Sequence, residues 1–434
     1  MPGAMTGHKA LRILIVTHDF PPLNTSASHR PYSWARTWTD VGHEVHVLTT
    51  EKYVHDGRVD LRHDLEGIKV RSVPYLLGMV PVGNGMSVEG ASRGKMLEWI
   101  RRMTRRLRVG FGPFAQVQVL FYGPLLKAGR NLMNTQQFDL IISTSGPDVC
   151  PLVAKKLARE WNIPWVSDYR DIWFPEFAVN RFSLTTFLVD RLNRYLLQGP
   201  LAVSTVSEGL AQYLRPIFLR NVWVCYNGFL EIEEKQLPRL PTPDGKKHVV
   251  YTGNFYPGKR DPTIFFDAVH EIAGLVTDLE NKLQIDLYGP TEDWVQRLIS
   301  DRGLQRVVVC HGNIPYSMSL VRQRAASLLL FVDWMDPRAK GVLTGKLFEY
   351  LSSKRPILCI GNRRDSEAVA LIVGCGAGTV ATVGDEITRT LLDLLQGSLQ
   401  ISPDACRIEA FSRRAQAVSL LGHITAKLSA IHAC

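Results

Sequence analysis

Asp139-Leu-Ile-Ile-Ser-Thr144 and Pro164-Trp-Val-Ser-Asp168 enclose Ser145 to Ile163, a stretch long enough for a helix. The first run is apolar on consecutive positions, which suits a strand covered on both faces of a parallel sheet. Strand, helix and strand in this order form one unit of an α/β doubly wound domain. The pattern recurs on both sides. Further strands are expected at Arg12–Thr17, Glu44–Thr49, Ile68–Val73, Leu201–Thr205 and Val222–Tyr226. A second series is expected at His248–Thr252, Leu283–Tyr288, Arg306–Cys310, Ser327–Val332, Pro356–Ile360 and Gly378–Ala381.

Between the series, Glu231–Lys247 gathers three prolines among charged residues and reads as a linker. The expected organisation is a first α/β domain over 1–230, a linker at 231–247 and a second α/β domain over 248–403. Ser402-Pro403-Asp404 supplies a cap and a first-turn proline, so one long helix is expected over about 404–434. The length of 434 residues is thereby spent on two domains rather than three.

Composition narrows the function classes. Hydrophobic residues are 45% and charged residues 21%, as in an ordinary globular protein. Lys and Arg total 51 against 41 Asp and Glu, a net charge of +10 that favours an anionic partner. The seven cysteines include no C-x-x-C pair, and Cys310 and Cys359 close apolar runs, where small buried hydrophobes are expected. With no apolar run before the first strand and none of bilayer-spanning length, the chain is expected to be cytoplasmic.

Residues 76–130 break the alternation. Met96, Trp99, Ile100, Met103 and Leu107 share one helical face, with Arg101, Arg102, Arg105, Arg106 and Arg108 mostly beside or opposite it. Such a helix over 93–108 either lies on an anionic membrane surface or turns its apolar stripe to its own domain. No basic stripe with interleaved aromatics stands elsewhere, so nucleic acid is not the expected partner.

The residues after the strands exclude several chemistries. Thr17-His-Asp-Phe-Pro-Pro-Leu-Asn24 replaces a dinucleotide fingerprint, and Gly341-Val-Leu-Thr-Gly345-Lys346 is one residue short of a phosphate loop. No metal-ligating cluster is present, and no cofactor is implied. Instead, polar residues gather at strand ends, where open α/β sheets bind ligands. Gly253 and Gly258 permit close backbone approach, with Lys259 and Arg260 as paired cations. Thr344-Gly345-Lys346 opens a helix whose free N–H groups suit a diphosphate, and Glu349 one turn on suits ribose hydroxyls.

In order and spacing these residues resemble the GT-B glycosyltransferases of the family 4 type. The resemblance is carried by Arg12–Pro22, Gly42–Leu48, Phe138–Ser145, Val166–Trp173, Thr205–Leu210, Tyr226–Phe229, Tyr251–Lys259, Gly345–Tyr350 and Lys354–Leu358. It implies two Rossmann-like domains facing each other across a cleft, with the last helix returning to the first domain. It implies a nucleotide-sugar donor bound by Gly253, Asn254, Lys259, Arg260, Thr344, Gly345, Lys346 and Glu349. Lys259 matches the family's diphosphate lysine and Glu349 its ribose glutamate. Transfer would be metal-independent and retaining, with an acceptor glycan or lipid-linked sugar of surface-polysaccharide assembly, at the inner face of the cell membrane.

Three positions depart from the family pattern: Gly341 replaces the first of two glutamates, Asn254 an arginine, and Asn24–Arg30 a glycine pair. Arg260 and Lys346 are expected to supply the charge missing at Asn254. On the acceptor side, Asp168, Arg170 and Asp171 end a strand where relatives carry a His-Asp pair. Arg170 or Asp171 takes that place and, with Lys259, is expected to be catalytic, orienting an acceptor hydroxyl or contacting a phosphate. The alternative is an internal Asp–Arg ion pair bracing a loop. Ser26, His29 and Arg30 open a helix and are further acceptor-side candidates. Trp34 and Trp38 read as core, and His18 is structural or catalytic. The rivals to transfer are a nucleotide-sugar 2-epimerase and a non-catalytic sugar-nucleotide binder, the latter made credible by Gly341.

Overall fold

The computed structural model describes residues 10–53, 56–75, 120–146, 148–170, 191, 195, 198–218, 222–232, 237–239, 244–336 and 341–432. The expected amphipathic helix at 93–108, Asp171 and part of the 231–247 stretch lie outside the described residues. The chain divides into two compact units, residues 1–225 with 417–434, and residues 226–416.

The first unit carries a seven-stranded sheet in the order β3-β2-β1-β4-β5-β6-β7. Its strands are β1 (Arg12–Val16), β2 (Glu44–Thr50), β3 (Lys69–Val73), β4 (Leu140–Thr144), β5 (Trp165–Tyr169), β6 (Ala202–Thr205) and β7 (Val222–Val224). Every pairing is parallel. The helices α1 (His29–Asp40), α2 (Tyr122–Thr135), α3 (Val149–Trp161) and α4 (Glu208–Leu214) connect them. Because β1 and β4 are buried at nearly every position, their apolar residues feed a core on each face. Trp34 and Trp38 stack in one of those cores, as expected from their spacing on α1.

The second unit carries a six-stranded sheet in the order β10-β9-β8-β11-β12-β13. Its strands are β8 (Lys247–Thr252), β9 (Leu283–Tyr288), β10 (Val308–Gly312), β11 (Leu328–Val332), β12 (Ile357–Ile360) and β13 (Gly378–Ala381). The helices between them are α5 (Thr263–Leu275), α6 (Asp293–Asp301), α7 (Tyr316–Ala325), α8 (Gly345–Ser353) and α9 (Glu367–Gly374), and α10 (Gly384–Gln396) follows β13. Both sheets are therefore doubly wound, with the strand order reversing between β1 and β4 in one and between β8 and β11 in the other. Such reversal points open a crevice at the carboxyl ends of the strands.

Three expectations are corrected. The single long terminal helix is broken into α11 (Ala405–Glu409) and α12 (Arg413–His432). At the break the backbone bonds sideways, Phe229 N to Phe411 O and Arg413 N to Phe229 O, and Ser412 Oγ accepts from Ala415 N to start a new helix. The division of the chain falls after Cys225, ahead of the proline-rich stretch at 231–247, because Tyr226–Phe229 is held to the 411–416 stretch within the second unit. Cys310 is exposed rather than buried, since β10 is an edge strand. From Ala417 onward α12 belongs to the first unit, where Trp38 Nε1 donates to Ala417 O and Leu420, Ile424 and Leu428 are core. Among the described residues, no helix is long and apolar enough to cross a membrane.

Candidate functional site

In the second unit the crevice opens early. β8 pairs with β11 only at Val249 and Val250, but stays paired with β9 through Thr252. The Thr252 N–H, left without a strand partner on the β11 side, donates to the Tyr350 phenol at 2.9 Å. The chain then turns at Gly253, whose φ of +124° favours glycine. A Cβ there would lie 2.5 Å from Lys346 Nζ, so the missing side chain is what admits the lysine.

Lys259 and Arg260 follow in a tight turn closed by Tyr256 N to Arg260 O at 3.0 Å and Arg260 N to Tyr256 O at 2.8 Å. Their side chains lie over Trp334, Lys259 Nζ at 5.8 Å and Arg260 Cζ at 4.9 Å from the ring centroid. Asn254 is exposed and uses its carbonyl to accept from the Tyr251 hydroxyl. From the other side, α8 begins at Gly345 with Thr344 at its cap, and the Thr344 hydroxyl is buried without a partner. The first-turn N–H groups of such a helix have no intrahelical acceptor. Lys346 Nζ lies 3.9 Å from the Tyr251 ring centroid. Burial, and then the nearby Arg260, push the Lys346 amine down to about 7 against the pull of Glu349.

None of Lys259, Arg260 and Lys346 makes a salt bridge among the described residues. The expected donor residues of the second unit thus come together from β8, its following turn and α8. Glu349 accepts from Gln323 Nε2 at 3.3 Å, and burial and then the Glu349 charge raise the Tyr316 phenol pKa.

In the first unit the expected acceptor residues divide differently. Arg30 and Asp168 form a buried bidentate ion pair, Nη2 to Oδ1 at 2.7 Å and Nε to Oδ2 at 3.0 Å. Arg30 also donates to Cys225 O, and Ser204 Oγ donates to Asp168 Oδ1. Although burial works against its charge, Asp168 holds the Arg30 pKa above its ordinary value. Both acceptor-side candidates are thus paired with each other and brace the strand ends. Arg170 donates to Asp19 Oδ2 at 2.9 Å, Ser145 O at 3.2 Å and Gly146 O at 3.4 Å, and so ties the loops after β1 and β4. This is the internal-pair reading of Arg170, with Asp19 as its partner. Ser26 is exposed, and His29 Nδ1 lies 3.4 Å from His63 Nε2. His18 is buried, stacked on Phe121 and bonded to Thr50 Oγ1 at 2.6 Å.

A cavity of about 560 Å³ in this unit is lined by Leu11, Phe138, Trp161 and Pro164, at the opposite ends of the strands from these polar loops.

Residues 27–228 match the family model described as a glycosyl transferase 4-like domain. The chain has the GT-B fold. Solved structures of the same fold cover nearly all of it. Sucrose-phosphate synthase from Thermosynechococcus elongatus is 15% identical with a TM-score of 0.60, over 98% of this chain and 100% of its own. HepE from Anabaena, solved with UDP, is 15% identical with a TM-score of 0.56, over 96% of this chain and 100% of its own. α,α-Trehalose 6-phosphate synthase from Burkholderia multivorans is 11% identical with a TM-score of 0.56, over 98% of both chains. Among curated proteins no sequence matches.

The family match falls on the first unit, whereas Lys259, Arg260 and Lys346 lie in the second. Gly341, where the family has a glutamate, has a φ of +81°, a conformation that strains any side chain. Sequence reasoning did not single out Trp334, Gln323, Tyr316 or Asp148. Trp334 had no signal until the fold placed it beside Lys259 and Arg260. Asp148 precedes α3 without capping it, and burial raises its carboxyl to about 6.

Proposed function

We propose that this protein is a glycosyltransferase that takes its sugar from a nucleotide-sugar bound in the second unit. The observation that carries the reading is the set of three cations without a carboxylate, Lys259, Arg260 and Lys346, around a glycine turn and a helix start. Cations are costly to hold unpaired where water is partly excluded, and a diphosphate supplies the missing charge. The helix N-terminus adds its dipole to the same anion. Glu349 accepts ribose hydroxyls, and Gly253 lets the backbone approach the phosphates. HepE, of the same fold, has been solved with UDP and with UDP-glucose.

The leaving diphosphate is neutralised by these three side chains and the α8 N-terminus, without a metal ion. The bond from the anomeric carbon to the diphosphate oxygen breaks, the acceptor oxygen bonds to the same face, and its proton passes to the leaving oxygen. The configuration at that carbon is retained. The acceptor is a glycan or lipid-linked sugar of surface-polysaccharide assembly, and the arginine-rich segment at 93–108 brings the protein to an anionic membrane.

Thermal stabilisation by UDP, GDP, ADP and their sugar conjugates tests the donor site, because a ligand selective for the folded state raises the transition with occupancy. Stabilisation by one base series is expected, with loss of that stabilisation in Lys346→Ala. An unchanged Lys346→Ala response would overturn the assignment. Binding of nucleotide without turnover over a broad acceptor panel would favour the non-catalytic reading that Gly341 raises. Absence of binding to anionic liposomes at low salt would remove the membrane role of 93–108.

A further inference from the structure

Gln323, on α7, is fully buried and faces the crevice between β8 and β11. Its Nε2 lies within donating distance of Thr252 Oγ1 at 3.1 Å, Ser319 Oγ at 3.1 Å and Glu349 Oε2 at 3.3 Å. An amide nitrogen has two protons, so three acceptors compete for them. Its Oε1 is buried without a partner. The amide is therefore oriented by what its nitrogen reaches.

Those acceptors stand on different elements. Thr252 ends β8 immediately before the Gly253 turn, and Glu349 lies on the first turns of α8. Tyr350, the residue after Glu349, holds the Thr252 N–H and accepts from Thr252 Oγ1 at 3.3 Å. The turn is thus held by Tyr350, whereas the Glu349 carboxylate is tied to it through Gln323.

We propose that Gln323 is a positioning residue that sets the distance between the ribose-contacting carboxylate of Glu349 and the diphosphate-contacting turn at Thr252–Gly253. The inference rests on the donor-site reading above. It goes beyond that reading by assigning cooperation between two contacts on one ligand to a residue that touches neither phosphate nor sugar. Holding two contacts at a set separation raises affinity for a ligand that engages both, and not for a fragment that engages one.

The test compares a whole ligand with a fragment. In the wild type, titration calorimetry identifies the tightest of UDP, GDP and ADP, and inorganic pyrophosphate serves as the fragment. Gln323→Met, which keeps shape and removes the N–H donors, is expected to weaken that nucleotide about tenfold. It should change pyrophosphate affinity by less than about twofold. Gln323→Glu keeps the shape in case the methionine variant fails to fold. Its carboxyl donates when protonated and repels Glu349 when ionised, so nucleotide affinity should fall more steeply from pH 5.5 to pH 8 than in the wild type. Equal losses of nucleotide and pyrophosphate, or no loss of either, would overturn the inference. Glu349→Ala is the control: if it leaves nucleotide affinity intact, or no nucleotide binds the wild type, the donor-site reading itself fails.

Discussion

The crevices of the two sheets carry similar charges and treat them differently. In the first unit the ends of β1 and β4 are tied by a hydrogen bond between Thr17 and Thr144 hydroxyls at 3.0 Å. Arg170 reaches across to Asp19, Ser145 O and Gly146 O, and the buried Lys52 donates to Thr49 and Thr50. In the second unit β11 leaves β8 after Val250, and Lys259, Arg260 and Lys346 have aromatic faces but no carboxylate partner among the described residues. A buried charge that meets its partner within the fold stabilises or braces it. A charge left without one keeps its interaction for a ligand.

The strongest way to break this contrast is to remove a paired charge. Asp168→Ala leaves Arg30 buried and uncompensated and should destabilise the protein by about 3–5 kcal/mol in denaturant unfolding. Nucleotide affinity of the folded fraction should stay as in the wild type. An equal fall in nucleotide affinity would mean that the pair takes part in donor binding.

Removing an unpaired charge should do the reverse. Lys346→Ala should weaken nucleoside diphosphate binding by about 1.5–3 kcal/mol, the value of a charge-assisted hydrogen bond, as read by calorimetry. Stability at pH 7 should rise by about 1 kcal/mol, because a buried amine with no carboxylate partner among the described residues is removed. A large fall in stability with unaltered affinity would place Lys346 with the bracing charges.

Charge state sharpens the same point. With the Lys346 amine lowered to about 7 by burial and then by Arg260, it is charged below that pH and neutral above it. An anion favours the charged form, so affinity should fall about tenfold as pH rises from 6 to 8. Lys346→Arg should remain flat over that range. A wild-type profile as flat as that of the arginine variant would count against the lysine as the titrating contact.

Asp148 behaves in the first unit as the cations do in the second. Its side chain makes no capping hydrogen bond to α3, and burial raises its carboxyl to about 6. Below the ordinary carboxylate range both folded and unfolded forms are protonated, and no penalty arises. As pH climbs through about 6, the unfolded chain is ionised more readily and the fold loses stability. Asp148→Asn should therefore stabilise by about 1 kcal/mol at pH 7, discounted for partial exposure, and by nothing at pH 3.5. Stabilisation at both pH values would mean a packing effect. The smallest effect is expected at the half-exposed pair of Arg36 and Asp40 on α1, where Asp40→Ala should cost about 0.3–0.5 kcal/mol in thermal unfolding.

Much of the fold is legible because it depends on local pattern. Each expected strand has its counterpart, from Arg12–Val16 to Gly378–Ala381, since consecutive apolar β-branched residues have few alternatives to a doubly covered strand. The clustering of cations in the second unit was legible where neighbours in sequence stand together, as in Lys259–Arg260 and Thr344–Lys346. It was not legible for Gln323 or Trp334, whose partners come from other elements. The pairing on the acceptor side was not legible, because an arginine near a strand end looks the same in sequence whether or not it is paired.

What the amino-acid sequence by itself determined is the α/β class, two series of strands and the place of the glycine turn with its cations, all consequences of periodicity, glycine placement and helix starts. Only the tertiary structure decided which charges are spent internally. Arg30 meets Asp168 across 138 positions, and Arg170 meets Asp19 across 151. Such pairings depend on which strand ends the sheet order brings together, so no local pattern records that those arginines are satisfied while Lys259, Arg260 and Lys346 are not.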